Sequence, residues 1–166
     1  QSVFIPDTVT EICDSAFARC DSLTIVTLPQ KLATIADNAF YQCPSLSSIE
    51  LPTELKHLGT SSFAGCSSIT DIVIPKSIEY IYSNTFSGCQ RLKSITLHNN
   101  IIEIQKSAFK NCSSLVEVVF PEKIVSIAAF SFYGCSSLKE VEIPNNITQI
   151  GENAFGNCSS LSKVNM

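Results

Sequence analysis

Residues 66–88 read CSSITDIVIPKSIEYIYSNTFSG, and Cys89 starts the same pattern again. Ile72 and Ile74 alternate with positions that face solvent, the period-2 signature of a strand, and β-branched residues favour that conformation. Pro75 ends the strand, because it has no N–H to give to a ladder. Ile78 and Ile81 lie three residues apart and read as a second, shorter extended segment on the opposite side. The piece from Thr85-Phe86 to Cys89 turns the chain back, as one helical or 3₁₀ turn.

Working outward, the same unit fills the chain. Cysteine recurs at 20, 43, 66, 89, 112, 135 and 158, every step 23 residues. Phenylalanine keeps the same step three positions earlier, from Phe17 to Phe155, and proline follows at 6, 29, 52, 75, 121 and 144, with His98 in the one gap. Three columns locked in phase mark a solenoid of about seven coils. One coil cannot order its own backbone, because its few large side chains bury too little surface against the conformational entropy lost. Coils must therefore stack and share ladders. At about 4.8 Å per coil, seven coils span roughly 35 Å.

The apolar columns form the expected core. They begin at Leu23, Val26 and Leu28 in one coil and end at Leu161, Val164 and Met166 in the last. The pair Val9/Ile12 recurs as Leu32/Ile35, Leu55/Leu58, Ile78/Ile81, Ile101/Ile104, Ile124/Ile127 and Ile147/Ile150. Ser15, Asn38, Ser61, Asn84, Ser107 and Asn153 precede the phenylalanines by two, where a short polar side chain can cap the turn; Phe130 breaks this column. The Ser-Ser pairs after cysteine, such as Ser67/Ser68 and Ser136/Ser137, suit a hydroxyl-to-backbone turn.

The consensus Leu-x-x-Val-x-Ile-Pro-x-x-Ile-x-x-Ile-x-x-x-Ala-Phe-x-x-Cys closely resembles the BspA-like, treponemal-type leucine-rich repeats, across all seven coils. The departures are His98 for proline, Ser62, Thr85 and Ser131 for alanine, and Cys13, Tyr82 and Gln105 where a small residue is usual. The resemblance implies a right-handed leucine-rich-repeat solenoid with a parallel sheet on its concave face. It also implies a home on secreted or cell-surface proteins, often ones that adhere to host cells or matrix. The family shares no catalytic residues and no common ligand, so neither is carried over. The expectation is a single domain over 1–166, a piece of a longer protein, with open apolar columns at both ends and the option of end-to-end self-association.

Composition narrows the partner. The chain is 45% hydrophobic and 16% charged with a formal charge of −4, and it has no Lys/Arg stripe. Nucleic acid and anionic membrane are therefore poor partners, and no apolar run is long enough to span a bilayer. The candidate binding residues are the outward positions of the first strand, which vary from coil to coil while the inward columns stay constant. They are Asp71, Val73, Lys93, Thr96, Val116, Glu117, Val119, Lys139, Glu140 and Glu142. Val73, Val116 and Val119 are expected to gather around Thr96 as a modest apolar patch. Glu117, Glu140 and Glu142 form an acidic group that Lys139, Lys163, a basic partner or water would relieve. An open face encloses calcium poorly and does not bury a carboxylate for glycoside chemistry.

The remaining motifs point away from chemistry. The ladder cysteines read as buried free thiols acting as small hydrophobes, since stacked columns hold Cβ atoms too far apart for disulfides. Cys13, off the ladder, reads as another packing thiol. Zinc lacks a Cys-x-x-Cys, and His57 and His98 sit in different columns, away from any nucleophile. No catalytic residue, metal or cofactor is expected. Asn111, Asn146 and Asn157 match the glycosylation pattern, two of them only because Cys-Ser follows. The expected function is a non-catalytic adhesion module for protein or glycan on a cell surface or in secretion, with an intracellular interaction scaffold as the alternative.

Overall fold

The computed structural model describes residues 1–165, so the Met166 member of its column lies outside the described residues. The coils carry front strands and back strands, numbered together in chain order. The front strands are β1 (Ser2–Phe4), β3 (Ile25–Thr27), β5 (Ser48–Ile49), β7 (Asp71–Val73), β9 (Ser94–Thr96), β12 (Glu140–Glu142) and β14 (Lys163–Asn165). The back strands are β2 (Glu11–Ile12), β4 (Thr34–Ile35), β6 (His57–Leu58), β8 (Tyr80–Ile81), β10 (Glu103–Ile104), β11 (Ser126–Ile127) and β13 (Gln149–Ile150). All pairs are parallel, and the register follows the 23-residue step, as in Val3↔Val26 and Ile72↔Ile95. The chain is a mostly-β parallel solenoid, as its periodicity requires.

The ladders are segmented. In front, β1-β3-β5, β7-β9 and β12-β14 pair as separate groups; behind, β2-β4-β6, β8-β10 and β11-β13 do the same. The sixth coil forms no front strand at Val116–Phe120, although it keeps the apolar columns of the others. Both faces break between the third and fourth coils.

The turn segment supplies the continuous seam, and here the structure corrects the expected helical or 3₁₀ turn. Alternate N–H groups have different destinations. Ser61, Phe63 and Gly65 donate forward to carbonyls of the next coil (Ser83, Thr85 and Ser87), while Ser62 and Ala64 donate back to Gly59 and Ser61. A helix would send every N–H backward along its own chain. Left-handed residues enforce the alternation. Ser15, Asn38, Ser61, Asn84, Ser107, Phe130 and Asn153 all have φ between 51° and 58°. The short polar residues expected to cap a helix are thus selected for backbone conformation, which Asn tolerates better than most residues. Phe130 adopts the same φ of 57°, with Lys106 and Lys110 ammonium groups 5.9 Å from its ring centre.

The core lies between the two faces. The phenylalanines stack ring on ring from Phe17 to Phe155, with centroids 5.2–5.9 Å apart and planes within 14°. Phe120 meets Phe132 edge-on at 5.5 Å. Beneath the stack, Cys43 to Cys158 are buried free thiols, as read. Their role exceeds packing, since each thiol donates to a phenylalanine carbonyl of the preceding coil, as Cys66 does to Phe40 at 3.1 Å. Cys13 departs from expectation. It is exposed, whereas the equivalent Ala36 is buried against the neighbouring coil, so it is not a packing thiol.

Polar ladders add to the stack. Ser67, Ser113, Ser136 and Ser159 donate their hydroxyls to carbonyls 23 residues upstream, not within their own turn. His98 fills the proline gap by placing Nε2 at 2.7 Å from the Pro75 carbonyl while Nδ1 accepts from the Asn100 N–H at 3.2 Å.

Candidate functional site

The front strands hold their inward residues in the core and turn every other side chain to solvent. All ten candidate residues are exposed on this one face. The 23-residue step arranges them in rows across the coils. Asp71, Glu117 and Glu140 fall in one row, Val73, Thr96, Val119 and Glu142 in a second, and Lys93, Val116 and Lys139 in a third.

Several clefts open along the front face, two of them where the ladder lapses. One, about 460 Å³, runs between the strandless sixth coil and β12, and its walls include Glu117, Val119, Phe120, Glu140, Glu142 and Lys163. The other, about 470 Å³, lies at the break between β5 and β7, with Ser47, Ser48, Glu50, Thr70, Asp71 and Val73. Of the expected valine patch, Val119 lines the first cleft and Val73 the second, with Thr96 between them in the row. Val73 and Val119 are 69% and 74% exposed, unusually open for valine. Lys93, Thr96, Val116 and Lys139 line neither cleft.

The electrostatics of the two clefts differ. Asp71 accepts the Ser94 hydroxyl at 2.9 Å. Hydrogen bonds from Thr70 and Ser94, with the Lys93 charge, hold its carboxyl below the usual range. In the other cleft, Lys163 Nζ lies 3.5 Å from Glu140 Oε2, an open ion pair worth little in stability. Glu117 and Glu142 have no such partner among the described residues. Nor do three His, Cys, Asp or Glu side chains come close enough anywhere among the described residues to hold a metal.

The other singled-out residues go to separate places. His57 packs its ring 5.2 Å from Tyr82, and His98 is engaged in its turn. The Asn146 amide donates to the Glu122 and Ile124 carbonyls at 2.6 and 2.7 Å, and the Asn157 amide donates to the Tyr133 hydroxyl at 2.6 Å. Asn111 is exposed in a left-handed turn. Among the described residues, no helix is long and apolar enough to cross a membrane.

Phe4 escaped the sequence reading. It is 69% exposed and pairs in register with Thr27, which puts it in the row of Val73 and Val119. The 23-residue step would have found it.

The model of the BspA type leucine rich repeat region matches residues 1–116 and 56–166, in six copies. Solved structures show the same architecture. A leucine-rich repeat protein from Bacteroides ovatus ATCC 8483 is 31% identical over 98% of this chain and 54% of its own, with a TM-score of 0.70. One from Eubacterium ventriosum ATCC 27560 is 26% identical over 97% and 43%, with a TM-score of 0.83. A leucine rich cell surface protein from Faecalibacterium prausnitzii A2-165 is 25% identical over 99% and 59%, with a TM-score of 0.63. The chain thus spans about half the length of these structures. No curated protein matches it.

Proposed function

Because the chain belongs to the BspA-type leucine-rich-repeat family, we propose that it is a non-catalytic binding module, secreted or held at a cell surface, that grips a protein or glycan through its front face. The observation that carries this reading is a contrast within one chain. Inward columns barely change between coils, while front positions run from Ile25 and Ser48 to Asp71, Glu117 and Lys163. Packing fixes the first set and leaves the second free. Two clefts of several hundred Å³ open in that variable face, a size that suits a side chain or a short segment of a partner. The cell-surface description of the Faecalibacterium protein supports the location. An adhesive role follows from location and face together.

The test is a binding screen against immobilised matrix proteins and a glycan array, followed by substitutions on the face. Glu117→Lys, Val119→Lys and Glu140→Lys together should abolish capture of any hit without moving the melting temperature. Unchanged affinity in that variant would exclude the front face as the binding site.

A further inference from the structure

The back face carries a cluster that neither the fold nor the front-face reading uses. Tyr80 and Tyr82 stack at 5.9 Å with planes 26° apart, and His57 tilts against Tyr82 at 5.2 Å. Neither tyrosine is needed for packing. Positions equivalent to Tyr80 hold Glu11, Thr34, His57, Glu103, Ser126 and Gln149, and positions equivalent to Tyr82 are Cys13, Ala36, Gly59, Gln105, Ala128 and Gly151. Tyr80 is 37% exposed, and among the described residues neither hydroxyl makes a hydrogen bond within the chain. Beside the rings lies a cleft of about 190 Å³, walled by both tyrosines, Leu58, Lys56, Ser77 and Glu79. Lys56 and Glu79 form no ion pair among the described residues, leaving a free donor and a free acceptor of opposite sign.

We infer that this back-face platform binds a neutral pyranose sugar. The argument is one of matched surfaces. An aromatic face carries negative charge density and its edge positive. A pyranose with equatorial substituents offers the complement, axial C–H bonds pointing from the flat of the ring and hydroxyls around its rim. The rings would take the flat, and the Lys56 ammonium and Glu79 carboxylate would take rim hydroxyls as donor and acceptor. The two charges cancel, which disfavours an acidic or a basic ligand. A cleft of about 190 Å³ matches roughly six liquid waters and falls below the range of drug-sized pockets. That volume fits a single ring of a longer glycan.

The chain has no tryptophan and four tyrosines, so aromatic ring signals in NMR can be followed one by one. The experiment titrates cellohexaose, then chitohexaose, into the protein. Tyr80 and Tyr82 ring signals should shift, and Tyr41 and Tyr133 should not. Tyr82→Ala and Tyr80→Ser install residues that other coils already carry, so both should fold, as a melting curve checks. Each should weaken binding at least tenfold, while Lys31→Gln, an exposed position outside these clefts, should not change it. No shift with either sugar overturns the inference, as does an unchanged affinity in Tyr82→Ala. A response to poly-L-proline and to neither sugar would make the platform a peptide groove and would also overturn it. The front-face proposal survives any of these results.

Discussion

Cys66 donates its thiol hydrogen to the carbonyl oxygen of Phe40, 3.1 Å away and 26 residues earlier in the chain. The same bond recurs from Cys43 to Cys158. It explains why a cysteine stands where a small hydrophobe would fill the space. The thiols also set a limit on alkaline stability. Burial pushes Cys89 and Cys135 up to about 12 from an ordinary value of 9.0. A thiol that holds its proton more tightly when folded stabilises the native state fully below the unfolded value. That contribution is lost as pH rises from about 9 towards 12, by about 1.4 kcal/mol per pH unit per thiol. Urea unfolding should show a plateau to about pH 9 and a fall beyond it. Cys89→Ala should lower the plateau and flatten the fall; an equally steep fall would refute the assignment.

Thiol reactivity should rank by position. Cys13 is exposed and Cys20 is partly covered, whereas the other six are buried. Brief alkylation of native protein, read by peptide mass spectrometry, should label Cys13 first and Cys20 more slowly. Cys43 to Cys158 should react only in denaturant. Prompt labelling of Cys89 or Cys112 without denaturant would contradict the closed ladder.

Two hydroxyls are stranded in the core. Ser62 and Ser131 replace the usual alanine, are fully buried, and have Oγ atoms without a hydrogen-bond partner. Thr85 occupies the same column, but its hydroxyl reaches the Tyr82 carbonyl at 2.9 Å. Ser62→Ala and Ser131→Ala should therefore each stabilise the chain by about 1 kcal/mol. Thr85→Ala should cost about 1–2 kcal/mol, because a bond and a methyl group are lost. Denaturant midpoints separate the two signs directly.

Gly59 is fixed by the coil beneath it. A Cβ there would stand 2.5 Å from Asp37 Oδ1 and 2.6 Å from the Ala36 carbonyl carbon. Backbone cannot swing aside as a side chain can, so Gly59→Ala should cost about 2–3 kcal/mol. Gly88→Ala meets only atoms at 3.6 Å but must hold a φ of +75°, and should cost about 1 kcal/mol. A smaller loss at Gly59 than at Gly88 would mean that the coils stack less tightly than described.

The phenylalanine, cysteine and aliphatic columns were legible because burial constrains them in every coil, and a step of 23 repeats the constraint seven times. The exposure of the front residues followed from strand alternation. The turn conformation was less legible. Asn and Ser suit both a helix cap and a left-handed residue, and only the bonding to the next coil separates the two. The lapses at β5/β7 and at Val116–Phe120 were not readable, since those residues keep the consensus. Two of the clefts lie at those lapses, so Glu117 and Val119 are legible as exposed residues while the groove joining them to Lys163 is not. Tyr82 was visible as a departure from a small residue, and its stacking on Tyr80 needed three dimensions.

The seam of turns runs unbroken from coil to coil, while the ladders on either side of it are cut into short runs. A body built this way is tied along its turns and jointed on both faces. Bending concentrates at the joints, so the two front clefts widen or narrow together with the curvature of the whole. A partner settling there would select a degree of arc as well as a set of side chains, and a rigid partner of the wrong radius would be refused however well its chemistry matched.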